Sequence, residues 1–153
     1  MRFTCSQNRD DFQGNQVSGI TQVWERLFIG SAKDAESLVE ANPHGIQTVI
    51  TLCEESLRHR NPAINYVHVA IADGTPITVG QFQSVMDAIW QNISGNVLLH
   101  CVGGLSRTPV VCAAWMHSVG YKNIDAALEE IAAQRPTIDP SPILLLSIRE
   151  HLK

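Results

Sequence analysis

The segment at positions 100–108, His-Cys-Val-Gly-Gly-Leu-Ser-Arg-Thr, groups residues that could hold and attack a phosphate dianion. Cys101 stands near its start and Arg107 six positions later. The backbone N–H groups of such a loop, together with the positive end of a following helix, bind anions. The same field favours a thiolate at Cys101, while the planar guanidinium of Arg107 offers two parallel donors to phosphoryl oxygens. The segment therefore predicts a nucleophile, an anion-binding loop and a fixed positive charge in one place.

The residues on either side of this loop support that interpretation. An apolar run over 97–99 predicts a strand, and another over 110–119 predicts a helix. In open α/β sheets, ligands bind beyond the carboxyl ends of strands, which is where His100 and Cys101 fall. A buried, inert Cys followed by an ordinary Gly-Gly turn is the alternative. The strand and helix around the loop favour the anion site.

The rest of the chain alternates predicted strands and helices. Strands are predicted over 20–23, 26–29, 47–52, 66–71 and 97–99, and helices over 31–41, 77–94, 110–119, 123–135 and 141–151. This alternation predicts an α/β fold with a central, mostly parallel sheet of about four to five strands and helices on both faces. Residues 1–17 lack periodicity and are predicted to be a flexible lead-in, with the catalytic domain over 18–153.

The residue types also predict burial and helix ends. The strands over 47–52 and 66–71 are apolar and β-branched, which is typical of strands buried on both faces. Asn123 and Ser141 are predicted to cap the last two helices, with Pro142 in the first turn of the last one. Trp90, in the helix over 77–94, is expected to be buried or half-buried.

A leaving-group acid has to come from another loop at the same edge of the sheet. Asp73 follows the predicted strand over 66–71, in the sequence Ala-Asp-Gly-Thr-Pro, and lies 101 − 73 = 28 positions before Cys101. Its alternative role is to cap the next helix, a position that Asp also favours. Glu54 and Glu55 are the next candidates for the acid. His100 is expected to support the loop and favour the thiolate, not to act as a base.

These residues and their order resemble the small dual-specificity branch of the protein tyrosine phosphatase superfamily, from about residue 20 to the C-terminus. The resemblance implies that Cys101 is the nucleophile, Asp73 the general acid and Thr108 a hydrogen-bond donor to the Cys101 sulfur. The segment expected to bind the substrate phosphate comprises Val102, Gly103, Gly104, Leu105, Ser106 and Arg107.

The resemblance continues into the sequence Arg-Pro-Thr-Ile-Asp-Pro at 135–140. Two positions depart from the family pattern. Ser141 stands where the family usually has an Asn that braces the phosphate loop, so that brace is expected to differ. Gly103 precedes Gly104 where the family often has Ala-Gly, which is a mild change.

Cys53 directly follows the predicted strand over 47–52. Parallel strands bring their carboxyl ends together, so Cys53 is expected near Cys101. A further resemblance, to the tensin-related lipid phosphatases, would make Cys53 a reversible disulfide partner of the nucleophile. Simple packing of a small apolar side chain is the alternative, and the sequence leaves both open.

Composition limits the classes of partner. The chain has 153 residues and a net charge of −4, which argues against a general binder of nucleic acids or membrane surfaces. We see no secretory signal and no apolar stretch that could span a bilayer, and a nucleophilic thiol favours a reducing compartment, so a cytoplasmic location is expected. The histidines show no metal-ligand spacing, and no metal or cofactor is expected.

The function predicted from these residues is hydrolysis of phosphoprotein substrates, phosphotyrosine especially, through a phosphocysteine intermediate. Phosphoserine and phosphothreonine remain open as further substrates. The alternatives within the superfamily are a lipid or other phosphate-ester phosphatase, although the loop lacks the Lys residues typical of enzymes for highly phosphorylated inositides. Outside it, the alternatives are an arsenate reductase, a sulfurtransferase or a non-catalytic phosphate-binding module.

Overall fold

The strands form one sheet in the computed structural model, which describes residues 19–121 and 123–153. Its strands are β1 (Thr21–Trp24), β2 (Leu27–Gly30), β3 (Ile46–Thr51), β4 (Asn65–His68) and β5 (Asn96–His100). Their order across the sheet is β1-β2-β5-β3-β4, and all neighbours run parallel except β1 and β2. The predicted mostly parallel sheet is confirmed, whereas the predicted lead-in over 1–17 lies outside the described residues.

Helices cover both faces of this sheet. They are α1 (Ala32–Glu36) with a following 3-10 turn (Ser37–Val39), α2 (Val79–Asn92), α3 (Arg107–Ser118), α4 (Ile124–Gln134) and α5 (Pro142–His151). Helices α2 to α5 pack on one face, against alternate residues of the strands such as Ile29, Ile50 and Leu99. Helix α1 and the 3-10 turn cover the other face, which carries Phe28 and Leu98. Helix α3 is buried from Arg107 to Met116, as the apolar run over 110–119 predicts.

Capping residues set the start of several helices. Asn123 and Ser141 cap α4 and α5 through their side chains, and Pro142 occupies the first turn of α5, all as predicted. Thr78 and Gln81 form a capping box at the start of α2. Helix α2 therefore begins at Val79, two residues later than predicted, and it ends at Asn92 instead of residue 94.

The predicted strand over 66–71 is wrong in its bounds and its burial. Strand β4 ends at His68 and is only partly buried, because it lies at the edge of the sheet. Beyond it, Val69 and Ile71 still donate backbone hydrogen bonds to the Thr51 and Leu52 carbonyls, at 2.9 and 2.8 Å. The chain thus stays attached to the sheet as it enters the loop that carries Asp73.

Three other predictions need correction. Helix α3 begins at Arg107, three residues before the apolar run, because its first turn carries polar residues that the hydrophobic pattern does not reveal. The helix predicted over 31–41 is shorter, since the chain tightens into the 3-10 turn after Glu36. Trp90 was expected to be buried or half-buried, but it is 69% exposed on the outer face of α2. None of the described helices is long and apolar enough to cross a bilayer.

Candidate active site

A pocket of about 520 Å³ opens at the carboxyl end of β5. Its lining includes most of the predicted phosphate loop, together with Asp73 and the segment that leads into α5. The full lining is Asp73, Gly74, Cys101, Val102, Gly103, Leu105, Ser106, Arg107, Asp139, Pro140, Ser141 and Pro142. The structure therefore brings the predicted nucleophile, charge and acid to one cavity, although Asp73 lies 28 residues away from Cys101 in the chain.

Cys101 is 1% exposed and lines this pocket. Burial by itself raises the pKa of the thiol, but the hydroxyl and backbone N–H of Thr108, the Arg107 charge and the Ser106 N–H outweigh it and lower that pKa below its ordinary value. The Thr108 hydroxyl is buried and has no other hydrogen-bond partner among the described residues, so its proton is free to point towards the Cys101 sulfur. The loop thus stabilises a thiolate.

One buried donor of the Arg107 guanidinium, its Nε–H, has no hydrogen-bond partner among the described residues. The side chain is 6% exposed, and Nη1 donates to the Ile71 carbonyl at 2.8 Å. A buried donor without a hydrogen-bond partner destabilises the fold, unless a bound ligand accepts a hydrogen bond from it. Because Arg107 lines the pocket, this free donor suits an oxyanion bound beside Cys101.

Asp73 contacts the phosphate loop directly. The Ser106 hydroxyl donates to Oδ1 of Asp73 at 2.9 Å, which holds this exposed carboxylate at the rim of the pocket. The alternative role as a helix cap is wrong, because Thr78 caps α2 instead. Glu54 and Glu55 do not line this pocket, and Glu55 borders a smaller one.

His100 lies behind the loop and lines no part of the pocket. Its Nδ1 is 3.0 Å from the Cys101 carbonyl, and its Nε2 is 2.7 Å from Oγ1 of Thr51. Since a carbonyl only accepts, Nδ1 carries the proton and Nε2 accepts from the Thr51 hydroxyl. Burial lowers the pKa of His100, so the ring is neutral near pH 7. Its position fits support of the loop backbone.

Segments distant in sequence brace the phosphate loop through backbone hydrogen bonds. Ala32 N–H donates to the Val102 carbonyl at 2.9 Å, and Asp139 N–H donates to the Leu105 carbonyl at 2.7 Å. Ser141 N–H reaches the Ser106 carbonyl at 3.4 Å, while its side chain accepts from Leu144 N–H and so caps α5. At position 141, the brace comes from the backbone instead of a side chain.

Gly104 is required by two features of the loop. Its φ is +72°, and a Cβ there would lie 2.5 Å from the carbonyl oxygen of Gly30. Gly103 is different, because a Cβ there would meet only the Leu105 side chain at 3.6 Å, an ordinary contact. The loop therefore needs glycine at 104 and tolerates alanine at 103.

This contrast gives a testable prediction. We expect Gly104→Ala to lower the free energy of unfolding by more than about 2 kcal/mol, because it adds left-handed strain to a clash with backbone. Gly103→Ala is the matched control and should stay within about 1 kcal/mol of the wild type. Urea unfolding of both variants measures the difference. Equal stabilities would contradict the packing of Gly104 against Gly30.

Sequence reasoning missed part of this support. Gly30 and Asp34 were not singled out, yet Gly30 contacts Gly104 and Asp34 forms a capping box with Ser31 at the start of α1. Arg135, 6% exposed, donates to the Gly19 carbonyl and to Oγ1 of Thr21, and its Nη2 lies 4.0 Å from Oδ2 of Asp34. The Ser-x-x-Asp spacing directly after a strand is the signal that could have identified Asp34.

Cys53 lies beside the site but lines a different cavity. The Leu52 N–H donates to the His100 carbonyl at 2.9 Å, which continues the β3–β5 register beyond the strands and places Leu52 beside Cys101. Cys53 follows one residue later. Cys53 borders a pocket of about 260 Å³ that shares Val102 with the first. Burial raises the pKa of the Cys53 thiol, the Arg107 charge lowers it and Cys101 raises it further. Both cysteines belong to the same buried cluster of the core.

Comparison with known proteins gives the family. The description "Dual specificity phosphatase, catalytic domain" matches residues 27–153. Dual specificity protein phosphatase 14 of Mus musculus is 32% identical over 130 residues, covering 82% of this chain and 65% of the relative. Dual specificity protein phosphatase 18 of Bos taurus is 30% identical over 134 residues, covering 85% of this chain and 71% of the relative. The chain thus spans about two thirds of the length of these relatives.

Solved structures share the fold. A crystal structure of DUSP15 has a TM-score of 0.74 and 27% identity, covering 89% of this chain and 86% of that one. The human tyrosine phosphatase-like serine/threonine/tyrosine-interacting protein has a TM-score of 0.75 and 22% identity, and the match covers 89% of this chain and 97% of that one. With the family match over residues 27–153, this chain belongs to the dual specificity phosphatase catalytic domain family.

Proposed function

We propose that this chain is a protein phosphatase that hydrolyses phosphotyrosine, and also phosphoserine and phosphothreonine, through a phosphocysteine intermediate. One observation carries the proposal. A thiol whose pKa is lowered and an arginine with an unpartnered buried Nε–H line a single pocket, and a carboxylate stands at its rim. Nucleophile, anion clamp and proton donor are the three groups that covalent phosphoester cleavage requires. The dual specificity names of the relatives support the breadth of the substrate class.

In the first step, the Cys101 thiolate attacks phosphorus while the ester P–O bond breaks. The loop N–H groups and the free edge of Arg107 bind the equatorial phosphoryl oxygens as negative charge develops on them. Protonated Asp73 donates its proton to the leaving oxygen, so that the tyrosine or serine side chain departs as a neutral hydroxyl. The products are a phosphocysteine and an Asp73 carboxylate.

In the second step, water attacks the phosphocysteine and the S–P bond breaks. Asp73 now accepts a proton from the water, which returns the acid to its starting state. The Thr108 hydroxyl, buried and without a full partner, turns to the sulfur and stabilises the departing thiolate. Inorganic phosphate leaves, and the enzyme is regenerated.

The role of Asp73 is tested by the dependence of rate on the leaving group. We expect Asp73→Asn to slow hydrolysis of phenyl phosphate and phosphotyrosine by about 10²–10⁴-fold, because these leaving oxygens need a proton. The loss should be much smaller for 4-nitrophenyl phosphate, whose leaving group is stabilised without one.

Asp139 provides the matched control, since it also lines the pocket but lies on a different segment, just before α5. Steady-state kinetics on both substrates should show no such discrimination for Asp139→Asn. If Asp73→Asn slows both substrates equally, the acid is another residue, with Glu55 the first to examine.

Two alternatives are less well supported by the pocket. A site for highly phosphorylated inositides needs several cations, yet Arg107 is the one cationic side chain in the described lining, which also carries Asp73 and Asp139. An arsenate reductase needs a relay thiol at the pocket. Cys112 is fully buried in α3, where burial raises the pKa of its thiol well above the usual range, so Cys53 is the one candidate relay among the described residues. The carboxylate of Asp73 at the pocket rim favours ester cleavage instead, because that reaction needs an acid for the leaving group.

We also propose that Cys53 protects Cys101 through a reversible disulfide. Peroxide would oxidise the Cys101 thiolate to a sulfenic acid, and Cys53 sulfur would displace water from it to form the S–S bond. The support is the placement of the two residues on adjacent strand ends. Peroxide treatment followed by peptide mapping should yield a linked Cys53–Cys101 peptide. If a thiol restores the activity of peroxide-treated wild type and Cys53→Ser equally, Cys53 has only a packing role.

For partners and location, we propose phosphoproteins as substrates and the cytoplasm as the compartment. The net charge of −4 does not favour nucleic acids or anionic membranes. A thiolate nucleophile needs a reducing environment to stay active. No three His, Cys, Asp or Glu side chains in the described part of the chain are grouped as metal ligands, and the proposed chemistry uses no cofactor.

A further inference from the structure

The loop that carries Asp73 is held at its downstream end by α5. Ile77, which is 3% exposed, is the last residue of this loop before Thr78 caps α2. Its N–H donates to Oγ of Ser147 at 2.9 Å, and its carbonyl lies 3.0 Å from Nε2 of His151. Because a carbonyl only accepts, Nε2 carries the proton and donates. Both backbone polar groups of Ile77 are therefore bound by side chains one helical turn apart on α5.

Both of these side chains are themselves fixed in orientation. The Ser147 hydroxyl donates to the Leu144 carbonyl at 2.9 Å, which turns its lone pairs towards Ile77. The His151 ring stacks on Phe82 of α2, with 5.5 Å between ring centroids and 21° between planes. The Ile77 contacts are thus made by groups that have little rotational freedom.

The upstream end of the loop is held by other elements. Nη1 of Arg107 binds the Ile71 carbonyl at 2.8 Å, and Nε2 of Gln81 donates to the Ala70 carbonyl at 3.0 Å. Between the two ends, Asp73 is exposed and receives the Ser106 hydroxyl. The position of its carboxylate therefore depends on two fixed ends, and α5 supplies the downstream one.

We propose that Ser147 and His151 are positioning residues that hold Asp73 in place to protonate the leaving group. This inference rests on the proposed function, because it assigns α5 a role in the same reaction. Proton transfer requires the acid to stay within hydrogen-bond reach of the leaving oxygen. A displacement of about 1 Å can cost about 10²-fold in rate. Releasing Ile77 lets the loop shift without removing any group that touches the substrate.

The test uses variants that break each contact and keep the packing. Ser147→Ala removes the acceptor, and His151→Phe keeps an aromatic ring against Phe82 but removes the donor. Ser147→Thr and His151→Gln restore a hydroxyl and an N–H donor. Arg149→Gln is the matched control, since Arg149 lies on the same turns of α5 but pairs with Asp125 of α4.

The expected result is selective for the leaving group. Ser147→Ala and His151→Phe should each lower kcat for phenyl phosphate by about 10-fold, with little change for 4-nitrophenyl phosphate or in KM. The conservative variants should recover most of the rate, and Arg149→Gln should behave as wild type. In an Asp73→Asn background, His151→Phe should have no further effect, because the group it positions is already gone.

Other outcomes overturn the inference and separate it from the function it rests on. Equal slowing of both substrates by folded His151→Phe, or slowing that persists in Asp73→Asn, would show a general structural role. If both α5 variants behave as wild type while Asp73→Asn still slows phenyl phosphate selectively, Asp73 remains the acid and only the positioning role of α5 is wrong. If Asp73→Asn itself slows both substrates equally, Asp73 is not the acid, and α5 has no acid to position.

Discussion

Cys101→Ser is expected to lower the turnover of 4-nitrophenyl phosphate by several orders of magnitude while leaving the fold intact. A serine hydroxyl is far less nucleophilic than a thiolate near neutral pH, and the loop has no adjacent base to activate it. His100 does not supply one, since its Nδ1 is bound to the Cys101 carbonyl and its Nε2 to Thr51. The size of the side chain hardly changes, so the buried loop should keep its geometry.

Cys112→Ala is the control for this experiment. Cys112 is also a buried thiol, but it lies within α3 and does not line the pocket. Its removal should leave turnover near the wild-type value, with unfolding in urea used to confirm that both variants are folded. Activity in folded Cys101→Ser that approaches wild type would contradict a covalent mechanism on this residue.

Arg107→Lys is expected to have the second-largest effect, a loss of several orders of magnitude in kcat/KM despite the retained positive charge. Lysine is a point charge and lacks the planar edge that binds two phosphoryl oxygens at once. It also loses the Nη1 contact to the Ile71 carbonyl, which precedes the loop of Asp73. The variant therefore weakens phosphate binding and also removes a contact that holds the upstream end of the Asp73 loop.

Vanadate inhibition measures the anion site separately from turnover. It should compete with substrate in wild type and bind far more weakly to Arg107→Lys, while Arg149→Lys at an exposed ion pair should change neither property. Vanadate affinity within a few-fold of wild type in Arg107→Lys would show that the free guanidinium edge does not hold the phosphoryl group.

The features that could be predicted from sequence are those carried by neighbouring residues. Cys101 and Arg107 lie in one short segment, and the strand before it and the helix after it have clear periodicity. Asn123 and Ser141 were identified as helix caps because a cap acts on residues two or three positions away. Local chemistry of this kind does not depend on how distant segments meet.

The features that were missed depend on distant segments. The contact of Gly104 with Gly30 joins the phosphate loop to the end of β2, and Ile77 meets Ser147 and His151 some 70 residues later. The edge position of β4 and the exposure of Trp90 are likewise set by the order of strands and the packing of helices. Sequence patterns give periodicity and turn chemistry, but not which faces approach one another.

The most direct test of the central claim is to trap the intermediate. Thr108→Ala should slow breakdown of the phosphocysteine, because it removes the hydroxyl that stabilises the departing thiolate. Rapid acid quench during turnover of 4-nitrophenyl phosphate, followed by mass spectrometry of peptides, should find phosphate on Cys101, at higher occupancy in Thr108→Ala than in wild type. Active enzyme with no phosphate on Cys101 in either form, or with phosphate on another residue, would contradict the mechanism.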